Sequence, residues 1–386
     1  MRSGLLAWRR CQCASLCLSP RTGVRSTRTS ATSNPGTSTM PQPADQPTGR
    51  WPTLIDVARE AGVSRATASR VLTGSPRVSQ AARERVLESA ERLNYRVNIA
   101  ARSLRTDRTG LVGLLIPGFR NDLYGPIADE LAARLRGHDL SLVLGSSDWS
   151  AAGDLRILES FTARGLEAMI LAPSIDRSTA LAAAITHLRT PVVLFDRELQ
   201  GIHRDSVLID GRSAIIESLG RLAALGHQRI AVTAYGPDLR PGRQARGAFM
   251  DGTAELALDD DPSLLLRMTG LHPGEGIDIA DAIVASRATA AVIGGPTALL
   301  ATCLRRLRER LGRDAFPDRL SLIAIGDQLL GDLCDPPLAM VTRPVDRIAT
   351  ALADLLVARI LHPTGPVRTE LIQLSLNPGA SIGPLP

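Results

Sequence analysis

From residue 110 onward, short apolar runs alternate repeatedly with amphipathic stretches, and this restricts the fold more than any other feature of the chain. Runs at 111–116, 140–144, 168–171, 192–195, 207–209, 230–232, 291–293 and 322–325 have the length of strands. Between them, stretches such as 127–136, 214–225 and 299–311 carry apolar residues at helical spacing. A strand, a helix and a second strand in succession favour a parallel sheet, because the helix carries the chain back along one face. Hydrophobic residues make up 44% of the chain and aromatics only 3%, so aliphatic side chains must fill the core. About 270 residues of this pattern exceed what one sheet usually carries, so two α/β lobes with a cleft between them are expected over 110–386.

Residues 53–93 behave differently: three short helical patterns and no strand-like run. Thr53 is placed to cap a first helix whose inner face is Leu54, Val57, Ala58 and Ala61, and Gly62 stops it. Val63 fills the turn, Ser64 caps a second helix, and Ala68, Val71 and Leu72 form that helix's buried stripe. Arg65, Ala66, Thr67, Ser69 and Arg70 are left on the outside, short polar groups and two guanidinium forks suited to a major groove. Ser79 caps a third helix, with Ala82, Val86, Leu87, Ala90 and Leu93 closing the core. Residues 51–110 hold 11 Arg against 6 Asp plus Glu, which favours a phosphate-facing surface over a plain helical bundle.

The segment from Thr53 to Leu72, T-x-x-D-V-A-x-x-A-G-V-S-x-x-T-x-S-R-V-L, together with Leu93-Asn-Tyr-Arg-Val-Asn-Ile-Ala-Ala-Arg-Ser-Leu104, resembles the LacI/GalR family of bacterial regulators. The resemblance implies an all-α helix-turn-helix headpiece followed by a two-lobed α/β domain like a periplasmic binding protein, with parallel sheets. It implies that Arg65, Ala66 and Arg70 read bases of double-stranded operator DNA, while Thr53, Thr67, Ser69 and Asn98 meet phosphates. It also implies a homodimer in which the segment from Asn98 forms a hinge helix and Leu104 wedges the minor groove. Ala66 offers only a methyl, so the arginines must carry most direct readout. An isolated helix as short as 98–104 is unstable in water and should fold only when docked. Val97 stands where the family usually has proline, which makes the entry to the hinge less rigid.

The expected organisation is a disordered basic extension at 1–50, a headpiece at 51–97, a hinge and linker at 98–109, and the effector-binding and dimerisation domain at 110–386. Met40 is an alternative start for translation. By the same resemblance the effector-binding candidates are Phe119, Asn121, Tyr124, Asp196, Arg243, Arg246 and Asp327, with the register between the last two arginines left open. Such loops follow strand ends, where open α/β sheets bind ligands. Two acidic or amide elements of the family are altered here, to Gly295-Pro296 and Ala324-Ile-Gly-Asp327. Sugar hydroxyls are held by such groups, so a phosphorylated or acidic sugar-like metabolite ranks above a neutral sugar, and an effector-independent DNA binder stays open.

The function expected is a sequence-specific transcriptional repressor modulated by a small molecule. No enzyme activity and no cofactor are expected: there is no Gly-x-Ser-x-Gly elbow, no His-Glu-x-x-His helix and, with all 45 cations being arginine, no phosphate-loop lysine. Two body cysteines far apart and three near the start form neither a disulfide framework nor a zinc site. With no apolar run near membrane-spanning length and no signal-peptide core, the expected setting is the cytoplasm, away from membranes.

Overall fold

A computed structural model of the chain describes residues 52–72, 75–95 and 108–385. The extension at 1–50 and the hinge with Asn98 and Leu104 lie outside the described residues. The chain divides into two compact units, Met1–Arg96 and Val97–Pro386.

The first unit holds α1 (Leu54–Glu60), α2 (Arg65–Leu72) and α3 (Gln80–Arg92). At the start of α1 the Asp56 carboxylate accepts from the Thr53 N–H and hydroxyl, at 2.8 and 2.6 Å, and stands near the positive end of the helix. Gly62 follows with φ +62°, a left-handed conformation that glycine adopts without strain. The hydroxyl of Ser64 accepts from the Thr67 N–H at 3.1 Å and opens α2; that of Ser79 accepts from Ala82 at 3.4 Å and opens α3. Val57, Ala58, Ala61, Ala68, Val71, Val86 and Ala90 form the core. Leu87, expected inside, is half exposed: it lies one helical step of about 100° beyond Val86 and falls off the buried stripe.

The second unit begins with β1 (Leu111–Ile116), α4 (Tyr124–Arg136), β2 (Ser141–Ser146), α5 (Ala151–Ala163), β3 (Ala168–Leu171), α6 (Thr179–Thr186), β4 (Val192–Phe195) and β5 (Asp205–Asp210). It continues through α7 (Gly211–Ala223), β6 (Ile230–Ala234), α8 (Arg240–Glu255), β7 (Leu265–Arg267), α9 (Glu275–Ala285), β8 (Ala290–Gly294), α10 (Thr297–Leu311), β9 (Ser321–Gly326), α11 (Gln328–Asp332) and β10 (Ala339–Thr342). The last elements are α12 (Val345–Leu361), β11 (Thr369–Gln373) and β12 (Ser375–Asn377).

Two six-stranded sheets result, in the orders β11-β5-β4-β3-β1-β2 and β12-β10-β9-β8-β6-β7. All pairings are parallel except β10 with β12. In the first lobe one face of the sheet packs on α4 and α12 and the other on α5 and α6. In the second lobe the strands share one large core with α7 to α10. The chain passes between lobes three times: after β5, after β10 and between β11 and β12.

The strands β7, β10, β11 and β12 are absent from the sequence expectation. β7 and β12 are only three residues long, and in β11 only Ile372 is buried. These three are edge strands without a continuous apolar run, whereas β10 is internal and its apolar run within the strand is only Ala339, Met340 and Val341. One buried charge pair ties the late elements to the first lobe: Arg359 of α12 donates to both Asp205 oxygens at 2.7 Å, and the Arg368 N–H donates to the same carboxylate at 2.8 Å. Burial alone would raise that carboxyl, but the Arg359 and Arg368 hydrogen bonds outweigh it and hold its pKa below the ordinary range.

Candidate functional site

Two regions place polar side chains for a partner. On α2, Arg65, Ala66 and Arg70 are exposed, and Thr67 and Ser69 are half-buried. The buried Ala68 and Val71 turn this face away from the core. Thr67 and Ser64 hydroxyls lie 2.9 Å apart, which orients Thr67 at the start of the helix. Thr53 is occupied locally with Asp56. The arrangement presents guanidinium donors and small side chains along one helical face, the shape and chemistry that a base edge and its flanking phosphates accept.

The second region is the cavity between the lobes, at the C-terminal ends of the strands. Asn121, Tyr124 and Asp196 line it from the first lobe. The Tyr124 ring is buried edge-on to Phe195, with centroids 6.1 Å apart, and burial pushes its hydroxyl up to about 12, so it stays protonated. Asn121 accepts from the Leu123 N–H through Oδ1 at 3.1 Å, which leaves its amide group as a donor.

Asp196 follows β4 with φ +50°, a conformation of modest cost for aspartate that turns its carboxylate back on the chain. Its Oδ1 accepts from the Ile209 N–H at 3.3 Å, and Arg197 Nη1 lies 3.3 Å from Oδ2. Arg197 also donates to the Pro173 carbonyl at 3.0 Å. Burial raises the Asp196 carboxyl, partly offset by Arg197 and Arg240.

Arg240 is the first residue of α8 in the second lobe, yet its Nη1 donates to the Ile209 carbonyl of the first lobe at 2.6 Å and reaches Asp196 at 3.5 Å. One helical turn on, Arg243 Nη2 pairs with the buried Asp176 at 3.0 Å and with Glu198 at 3.5 Å. The Asp176 N–H donates to the Asp238 carbonyl at 3.0 Å across the same boundary. On another side of the cavity the Asp122 carboxylate accepts from the Thr297 N–H at the start of α10, at 2.8 Å. These contacts, part ion pair and part backbone hydrogen bond, clasp the two lobes together.

Of the predicted effector residues, Phe119, Arg243, Arg246 and Asp327 do not line this cavity, Arg243 being taken up by Asp176 and Glu198. Phe119 is 65% exposed and borders a shallow pocket with Arg120 and Asp148; Trp149 borders both that pocket and the cavity. Asp327 caps α11, accepting from the Leu329 N–H at 3.0 Å. Arg246 lines an outer groove of the second lobe with Phe249, Met250 and Arg267. Each three-residue step along a helix turns the side chain by about 60°, so two steps from Arg240 carry Arg246 about 120° away from the cleft. Sequence reasoning did not single out Arg240, Arg343, Tyr235 or Trp149 as site residues; Tyr235 directly follows β6 and could have been found by that rule, whereas Arg343 follows β10, a strand the sequence did not reveal.

Comparison with known proteins adds two family matches. Residues 53–98 match the model of bacterial regulatory proteins of the lacI family, and residues 219–382 match a periplasmic binding protein-like domain. The chain is 32% identical over 341 residues to an uncharacterized HTH-type transcriptional regulator in the aml 5' region of Streptomyces limosus, covering 86% of this chain and 95% of that one. It is 28% identical over 312 residues to catabolite control protein A of Streptococcus mutans, covering 80% and 91%. The Lac repressor dimer bound to operator and the anti-inducer ONPF superposes with TM-score 0.76 at 20% identity, over 86% of this chain and 99% of that one.

Proposed function

The chain belongs to the lacI family of bacterial regulatory proteins and is a DNA-binding transcriptional regulator, and from that premise we propose that it is a repressor whose hold on its operator is set by a small molecule in the interlobe cleft. The observation that carries the effector half of this reading is the cavity itself: aromatic and polar side chains from both lobes line a space that Arg240 and Arg243 help to close. A ligand there shifts the balance of lobe arrangements by as much as it prefers one of them, and operator affinity must follow reciprocally.

For the DNA half, the proposal assigns base contacts to Arg65, Ala66 and Arg70 and phosphate contacts to Thr53, Thr67 and Ser69, with Asn98 and Leu104 at the hinge. A homodimer on a roughly palindromic site follows, since one recognition helix spans few base pairs and a two-fold protein calls for matched half-sites. Among the described residues no helix is long and apolar enough to cross a membrane. The cytoplasm, where operator DNA lies, is the proposed setting.

The test is a genomic footprint followed by binding titrations on the recovered site, with and without a metabolite panel. A two-fold symmetric footprint whose affinity shifts when a metabolite binds supports the reading. An asymmetric single half-site, or operator affinity unchanged by every metabolite that binds the protein, overturns the dimer or the effector half respectively.

A further inference from the structure

The geometry points to an acidic effector, a ring-bearing small molecule whose carboxylate or phosphate is held by Arg343. This rests on the proposal that the cleft is the effector site. Around the cavity the charges pair off with one exception. Asp176, Asp196 and Glu198 are met by Arg197, Arg240 and Arg243, at separations between 3.0 and 3.8 Å. Asp122 is taken up by the Thr297 N–H at the start of α10. Arg343 lines the same cavity, is half-buried, and among the described residues makes no hydrogen bond or ion pair.

The Asp196 carboxyl feels the Arg343 charge but is already met by two other arginines, and the ring-bearing groups near Arg343 are donors. Tyr124 and Tyr235 line the cavity and feel the Arg343 charge, and burial raises both phenols, so both hydroxyls remain protonated. Among the described residues the Trp149 Nε1 is buried without a hydrogen-bond partner. Most of the side-chain acceptors in the cavity are engaged: Asp196 by Ile209 and two arginines, Asn121 Oδ1 by Leu123, and Thr233 by the Gly294 N–H at 2.7 Å, which leaves the neutral Gln244 amide beside them. An anion only accepts, so it matches a wall of donors with one unpaired guanidinium, while the aromatic rings suit the flat face of a ring. Arg343 also lies between β10 and α12, where the chain passes from one lobe to the other, so an anion there bears directly on lobe closure. The two arginines ranked by sequence for this role are placed otherwise, Arg243 in the clasp and Arg246 in the outer groove.

Calorimetric titration of the full-length protein with glucose 6-phosphate, glucuronate and glucose separates the readings on a common ring. At least one acidic probe should bind about tenfold or more tightly than glucose. The glucose 6-phosphate and glucuronate arms tell phosphate from carboxylate. Arg343→Gln should abolish the acidic preference, Arg343→Lys should keep part of it, and Arg246→Gln should leave it intact. Equal binding of glucose and both acids, no binding of either acid, or an acidic preference that survives Arg343→Gln would overturn the inference. The preference in the unaltered protein decides the matter even where Arg343→Gln does not fold. Gln244→Trp, which fills the cleft from α8, tests the underlying reading separately. Glucose binding that equals acid binding and is lost in Gln244→Trp sinks the acidic effector and spares the cleft. Probe binding untouched by Gln244→Trp sinks both.

Discussion

Arginine does opposite things in the two units of this chain. On α2, Arg65 and Arg70 are exposed, whereas in the larger unit Arg197 and Arg240 are buried against Asp176 and Asp196, and Arg359 against Asp205. With no lysine anywhere, residue type carries no information about role. Burial and a facing carboxylate do. A guanidinium enclosed with a carboxylate is committed to its own chain, whereas one on an exposed helical face is accessible to an outside partner.

The contrast breaks most visibly at Asp205. Asp205→Asn leaves Arg359 enclosed without its counter-charge and should cost about 3 to 5 kcal/mol in urea unfolding. Because this carboxyl is held below its unfolded pKa, its contribution is fully present above about pH 4, the unfolded carboxylate range, and fades as pH falls through the folded value. If Asp205→Asn unfolds at the same urea concentration as the parent, the pair has no structural weight.

Arg240→Ala comes next. It removes the donor to the Ile209 carbonyl and a neighbour of Asp196, and should cost about 1.5 to 3 kcal/mol while weakening binding of whatever ligand fills the cleft. Unaltered melting and unaltered ligand affinity would together show that the clasp does not hold the lobes.

The exposed side of the comparison predicts the reverse pattern. Arg70→Ala should relax base preference at one operator position by about 1 to 3 kcal/mol with the melting temperature unchanged. Loss spread evenly over all DNA sequences would make Arg70 a phosphate contact instead. The smallest effect is on Ser79→Ala, which removes the acceptor for the Ala82 N–H and should lower headpiece stability by about 1 kcal/mol without touching base preference. A measured change in sequence preference there would place α3 nearer the bases than its sequence implies.

The strands β1 to β6, β8 and β9 and the three-helix headpiece could be read from the sequence because they are local patterns: a continuous apolar run for a strand buried on both faces, a period of about 3.6 for a helix, punctuated by Gly62, Ser64 and Ser79. Strands such as β11 could not, since an edge strand with one buried residue has no pattern to distinguish it from a loop. Asn121, Tyr124 and Asp196 were legible as cleft residues by the rule that loops after strands face the crevice.

That rule places a loop and leaves the direction of each side chain open. Phe119 follows the same strand as Asn121 and Tyr124 and faces solvent. Sequence by itself determined the fold class, the lobes, the family and the face of α2, all of which depend on spacing along one element. Which arginine meets which carboxylate was decided only when two lobes from distant parts of the chain closed on each other. Arg240 and Arg243 reach carboxylates of the first lobe and Arg246 does not, because of the phase of α8 relative to that lobe. Among the described residues Arg343 is left unpaired because the acids around the cavity already have partners, a property of the assembled cavity that no single stretch of sequence contains.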